Sequence, residues 1–126
     1  MAYNILIVDD SLTARTFIAR TLQMAELPLS QVYQARNGQE ALGLLEREWV
    51  DLVFADINMP DMDGVELVRR MRATELLKSV PVVIVSTDRS ERRMAEMNEA
   101  GVQAYLTKPV TPEDLKATVE RLLKSA

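Results

Sequence analysis

Asp9, Asp10 and Asp56 are carboxylates that each follow directly on a short apolar run, Ile5-Leu6-Ile7-Val8 for the first pair and Leu52-Val53-Phe54-Ala55 for the third. Ser86 follows Val82-Val83-Ile84-Val85 in the same way, and Lys108 stands at the end of Tyr105-Leu-Thr-Lys108. Three carboxylates gathered in a partly desolvated place repel one another unless a cation or a shifted protonation state offsets them. The chain has no histidine and no cysteine, so the ligands on offer are oxygens, and an oxygen-only set favours Mg²⁺ on one or two carboxylates plus a phosphate oxygen. An ammonium and a hydroxyl beside them would hold the remaining oxygens of a phosphoryl group. The combined chemistry is phosphoryl transfer to a carboxylate. The same absences exclude Ser-His-Asp catalysis, His-ligated zinc and a phosphohistidine supplied by the chain itself.

Taken singly, these residues are ordinary. Asp9-Asp10 alone reads as solvated acids at a helix start, and a Ser or a Lys before Pro is common in loops. Their weight comes from joint placement, which the surrounding elements must provide. Short apolar runs rich in branched residues alternate with helix-period segments five times, the pattern of an α/β fold around a parallel sheet. Strands are expected at about 4–9, 32–35, 51–56, 81–86 and 104–107. In an open parallel sheet the strand ends converge on one rim, where ligands bind. That rim would carry Asp9, Asp10, Asp56, Ser86 and Lys108.

Ala14, Phe17, Ile18, Thr21, Leu22 and Ala25 fall on one helical face, as do Leu115, Val119, Leu122 and Leu123, so both segments should pack on the sheet. Asn37-Gly-Gln-Glu40 and Asp63-Gly-Val-Glu66 place a side-chain acceptor three residues before a Glu, and Thr111-Pro112 puts Pro at a first helical position. Met94 and Met97 share a face expected to be core, Ser90-Glu-Arg-Arg93 reads as a capped, solvated helix start, and Trp49 is expected at the edge of the core. There is no repeat, low-complexity stretch or linker, and residues 1–126 are expected to form one domain.

Net charge is −4, with 15 basic residues scattered among 19 acids, which argues against a grip on nucleic acid. Residues 1–10 lack the pattern of a signal peptide and no apolar run is long enough to cross a bilayer. A cysteine-free chain suits a reducing, cytoplasmic setting without a membrane partner.

Asp9-Asp10, the run Asp56-Ile-Asn-Met-Pro-Asp-Met-Asp-Gly64, the strand ending at Ser86 and Tyr105-Leu-Thr-Lys108-Pro109 together resemble the receiver domain of two-component response regulators, over the whole chain, and most nearly its single-domain, chemotaxis-type members. The resemblance implies a doubly wound, flavodoxin-like three-layer sandwich of five parallel strands in the order 2-1-3-4-5. It implies Asp56 as the phosphoacceptor, attacking phosphorus while the phosphohistidine of a sensor histidine kinase or histidine phosphotransfer protein leaves. Asp10 matches the direct metal ligand, Asp9 the acid acting through metal-bound water, and Asn58 the position lending a backbone carbonyl to Mg²⁺. Ser86 and Lys108 match the pair gripping the phosphoryl oxygens, and the Lys108–Pro109 peptide is often cis in the family.

Tyr105 matches an aromatic that turns inward when Ser86 is drawn to the phosphoryl group, reshaping the face of the fourth helix, fifth strand and fifth helix for a downstream protein. Arg92, Arg93, Glu96 and Lys116 are expected contacts there. Ser86 stands where Thr is more frequent, and Thr87 where Ala or Gly is usual. Asn58 and Asp88 occupy the two positions thought to tune attack of water on the phosphoaspartate, and a polar and an acidic residue there imply a labile phosphoryl group. On this reading the chain is a switch, catalysing only its own phosphorylation and dephosphorylation.

Rival readings are weaker. A haloacid-dehalogenase-type phosphohydrolase sets its nucleophile on the first strand with a second Asp two residues on, where this chain has a third strand and Asn58. A nucleotide hydrolase would need a G-x-x-x-x-G-K-[ST] loop, which is absent. A flavodoxin-type module would not put Asp9-Asp10 against an FMN phosphate. A receiver cut from a larger regulator or hybrid kinase would keep the chemistry and change only its setting. The chain stops just past its fifth expected helix, and a stand-alone protein is the expectation.

Overall fold

The computed structural model describes residues 2–123. Five strands and five helices alternate strictly: β1 (Tyr3–Val8), α1 (Leu12–Met24), β2 (Leu29–Ala35), α2 (Gly38–Arg47), β3 (Leu52–Ala55), α3 (Gly64–Arg72), β4 (Val82–Ser86), α4 (Glu91–Ala100), β5 (Ala104–Thr107) and α5 (Pro112–Leu123). All strand pairs are parallel, in the order β2-β1-β3-β4-β5, so the chain reverses direction of winding between β2 and β3.

The period-2 alternation of strand side chains sorts the core into two layers. Ile5, Ile7, Leu52, Phe54, Val83 and Val85 face α1 and α5, meeting Ile18, Leu22, Leu115 and Val119. Leu6, Val8, Val53, Ala55, Val82 and Ile84 face the other way, onto Ala41 and Leu45 of α2, Leu67 and Val68 of α3, and Met97 of α4. Strands β3 and β4 are buried along their whole length, as expected of strands covered on both faces. The result is the three-layer sandwich.

Helix starts follow their caps. Asn37 and Asp63 accept from the amides of Glu40 and Glu66 at 2.8 and 2.9 Å. Thr111 and Asp114 cap each other reciprocally, at 3.0 and 3.1 Å, and Ser90 caps the charged start of α4.

Four expectations need correction. β2 begins at Leu29 rather than 32, because Tyr3 pairs with Leu29 across an irregular register. Phe17 is 49% exposed; the buried stripe of α1 is narrower, and Phe17 sits on its shoulder, lining a shallow apolar groove with Val85 and Val110. Trp49 is 76% exposed, since the adjacent Val50 takes the inward position and the Trp49 indole donates to Asp51 Oδ1 at 2.9 Å. Met97 is buried as expected, whereas Met94 is only partly so.

Candidate functional site

Backbone bonds at the upper rim bring the strand ends into line. Asp9 N donates to Ala35 O at 3.1 Å, Asp56 N to Val8 O at 3.0 Å, and Lys108 N to Ser86 O at 2.9 Å. These bonds extend the sheet by one residue past β1, β3 and β5, and set Asp9 beside Asp56 and Lys108 beside Ser86. The Lys108–Pro109 peptide is cis.

Ligand oxygens of Asp9, Asp10 and Asp56 all lie within 4.8 Å of one another. Asp9 is 2% exposed; its Oδ1 accepts from Ser11 N at 2.9 Å and its Oδ2 from Lys108 Nζ at 3.1 Å. Lys108 Nζ also stands 3.9 Å from Asp56 Oδ2. Asp56 Oδ1 accepts from Ile57 N at 2.8 Å, which leaves Oδ2 as the oxygen facing the cation and the rim. Asp10 is exposed. Burial, the largest influence, pushes the Asp56 carboxyl above the usual carboxylate range, helped by Asp9 and Asp10 and opposed by Lys108 and the Ile57 amide. The donor set fits a hard divalent cation, because three oxygens within bridging distance carry more negative charge than the one ammonium offsets.

Ser86 is buried, and its Oγ accepts from Asp88 N at 3.1 Å. Tyr105 does not leave its hydroxyl in water, as a half-buried tyrosine usually would: it donates to Asp88 O at 2.6 Å, with the ring against the core. Burial is the main cause holding that phenol above its ordinary pKa. The Asp88 carboxylate accepts from Ser90 N at 2.8 Å and lies 3.8 Å from Arg93 Nε. The Ser90 hydrogen bond chiefly holds it below the usual carboxylate range.

Asn58 is exposed on the loop after β3, and Thr87 is exposed beside the apolar groove of Phe17. Arg93, expected as a free contact, is instead braced: its side chain is 26% exposed and bonds Glu96 at 2.6 Å. Arg92 is exposed, and Lys116 partly so.

Two contributors escaped the sequence reading. A Cβ on Gly64 would come within 2.7 Å of Asp56 O and 2.9 Å of Ile57 Cα, so only glycine lets the chain fold back beneath Asp56, where Gly64 N donates to Ile57 O at 2.8 Å. In the sequence it stood only within the Asp63-Gly-Val-Glu66 helix start and at the end of the run from Asp56 that carries the resemblance, neither of which signalled this close approach. Arg15, on α1, donates to Asp9 O at 2.7 Å. A groove of about 670 Å³ around Trp49, Leu76 and Leu122 lies at the opposite end of the sheet and is lined by Glu46, Glu48 and Asp51, but among the described residues only Asp9, Asp10 and Asp56 bring three carboxylates within reach of one ion.

Comparison with known families decides what this rim belongs to: the response regulator receiver domain matches residues 5–120. The chain belongs to that family. The receiver is 38% identical over 121 residues to a chemotaxis protein CheY homolog of Campylobacter jejuni, covering 95% of this chain and 92% of the relative. It is 37% identical to the chemotaxis protein CheY of Pseudomonas aeruginosa, with 96% of each covered. Among solved structures, the chemotaxis response regulator CheY4 of Vibrio cholerae superposes with a TM-score of 0.86 at 33% identity, covering 98% of this receiver and all of that chain. The receiver is therefore a chemotaxis-type response regulator module, a phosphorylation-activated signalling switch of two-component systems. Neither the dehalogenase nor the flavodoxin reading fits this match.

Proposed function

We propose that the receiver takes a phosphoryl group on Asp56 from a sensor histidine kinase or histidine phosphotransfer protein, with Mg²⁺ held by Asp9, Asp10, Asp56 and the Asn58 backbone carbonyl. The observation that carries this is the position of Asp56, within 4.8 Å of the ligand oxygens of Asp9 and Asp10 on one side and 3.9 Å from Lys108 Nζ on the other. Asp56 Oδ2 forms the new bond to phosphorus as the bond to the imidazole nitrogen breaks, and the imidazole keeps that electron pair. Magnesium, when bound, supplies a Lewis acid that shields the charge of the transferring oxygens. Lys108 leaves Asp9 for a phosphoryl oxygen, and Ser86 donates its hydroxyl to another while Asp88 N still donates to Oγ.

The signal then travels along Ser86, Asp88 and Tyr105 to the face formed by α4, β5 and α5, where a downstream protein reads Arg92, Glu96 and Lys116 against a braced Arg93. Asn58 and Asp88 tune hydrolysis; Asn58 is free to orient water, whereas Asp88 must first leave Ser90 N and Arg93. The switch so described catalyses only its own phosphorylation and dephosphorylation. A cytoplasmic location belongs to the same reading, because phosphorylated donor proteins are made where ATP is.

The test is intact-mass measurement after treatment with a small phosphodonor in Mg²⁺. One phosphoryl group should be added to the parent and none to Asp56→Asn or to the parent in EDTA. Full labelling of Asp56→Asn would move the acceptor elsewhere.

A further inference from the structure

Asp10 is the exposed member of the acid cluster, and no hydrogen bond holds its carboxylate among the described residues. Its direction is set by the backbone entering it. Because a peptide unit is planar, the carbonyl of Asp9 and the amide of Asp10 turn together. The Asp9 amide makes the last sheet bond of this strand, to Ala35 O, but among the described residues no backbone N–H reaches the Asp9 carbonyl, so the sheet does not fix it. Arg15 does: Nη1 donates to Asp9 O at 2.7 Å, while Nε donates to Gln34 Oε1 on β2 at 3.1 Å. The guanidinium thus ties the first turn of α1 back to the residue that follows β1 and to the neighbouring strand, across a turn that the Ser11 N to Asp9 Oδ1 bond also holds.

We infer that Arg15 is a positioning residue that orients the Asp9–Asp10 peptide plane and so presents the Asp10 carboxylate to the divalent cation. The inference rests on the metal site proposed above. Charge alone would act in the opposite direction, since a nearby cation repels Mg²⁺ and its removal should tighten binding. The sign of the effect therefore separates positioning from electrostatics.

Two measurements on the full chain decide it. In Mg²⁺ titrations followed by amide chemical shifts, Arg15→Ala should weaken binding roughly tenfold, the usual scale for residues that orient metal ligands. Arg15→Lys, which keeps the charge but not the two-pronged bond, should fall between Arg15→Ala and the parent, as should Gln34→Ala. In EDTA, amide hydrogen exchange at Ser11 and Ala14, whose N–H groups are held by Asp9 Oδ1 and Ser11 Oγ, should accelerate in Arg15→Ala while β3 and β4 stay protected, which distinguishes loss of the clamp from loss of the fold. Unchanged or tighter Mg²⁺ binding, or unaltered exchange at those two amides, overturns the role of Arg15. A parent without Mg²⁺ response would instead remove the metal site, and the exchange rates would still decide whether Arg15 clamps the loop.

Discussion

Lys108 Nζ sits 3.1 Å from Asp9 Oδ2 but 3.9 Å from Asp56 Oδ2. The Lys108 ammonium thus hydrogen-bonds the buried acid and only faces the acceptor. Asp9, 2% exposed, depends on that bond. Asp56 Oδ2 remains open to an incoming group, and Lys108 has a second place to go when one arrives.

Lys108→Ala should therefore do two things at once. Leaving Asp9 without its ammonium should cost about 1–3 kcal/mol, the range for a buried acceptor stripped of its donor. The rate of labelling by a small phosphodonor should fall by roughly 100-fold, as when one charge-stabilising donor is lost from a transfer site. Urea unfolding and labelling kinetics read the two effects separately. Labelling at the parental rate would show that Lys108 has no part in transfer.

The pH dependence of stability follows from Asp56, whose folded pKa lies above its ordinary value, mainly through burial. Its protonated form suits the fold better than its ionised form. The resulting contribution is fully present below the unfolded pKa of about 3.9 and is lost as pH rises through the folded value. Asp56→Asn keeps the shape without the charge. It should be more stable than the parent at neutral pH by about 0.5–2 kcal/mol, a common gain when a functional site is relieved of strain. The gap should shrink as pH falls, and adding Mg²⁺ at neutral pH should narrow it by stabilising the parent alone. Urea midpoints at several pH values check this; a gap that widens toward acid would reverse the sign of the Asp56 shift.

The site was legible because its geometry is a consequence of topology. Once the apolar runs ending at Val8, Ala55 and Val85 are parallel neighbours, the residues after them must meet, whatever the loops do. The five strands, the two core layers and the capped helix starts came from period and cap chemistry in the same way. Burial at the margins was not legible. Phe17 and Trp49 have the residue types of a core, yet their exposure depends on which neighbour, Ile18 or Val50, takes the inward position. Interactions with backbone carbonyls left no mark either. Nothing in the residue types of Arg15, Arg72 or Tyr105 announces that each donates to a main-chain carbonyl outside its own element.

Trp49 makes the polarity of the molecule measurable. It is the single tryptophan of the chain, and it precedes β3 while Asp56 follows it, so the two are separated by roughly 20 Å at the usual strand rise. Its indole is exposed and bonded to Asp51. Tryptophan emission should be that of a solvated indole and should stay nearly constant through a Mg²⁺ titration and through phosphorylation. Strong quenching by Mg²⁺ would mean that the cation binds near this end of the sheet rather than at the acidic rim.

Arg72 presents a different problem, a half-buried cation whose hydrogen-bond partners are all neutral. Its Nε and Nη2 donate to Gly101 O at 3.1 and 2.9 Å, and Nη1 donates to Val80 O at 2.9 Å, with longer bonds to Leu77 O and Lys78 O. Nη2 also reaches Gln103 Oε1, which in turn accepts from Val82 N at 2.8 Å. One guanidinium thus joins the end of α3, the segment leading into β4, and the left-handed turn at Gly101 that ends α4. Burial holds its pKa below the ordinary arginine value, a cost tolerated because several carbonyls share the charge. Arg72→Ala should destabilise the receiver by about 2–4 kcal/mol, since it leaves multiple carbonyls without their donor. Arg72→Lys should recover little, because a point-charge ammonium cannot span acceptors in two segments. The loss should leave the Mg²⁺ affinity of the distant rim unchanged while raising amide exchange around Gly101 and Val102. A variant as stable as the parent, or one whose exchange rises at the rim instead, would show that these carbonyls find other partners and that α4 is anchored elsewhere.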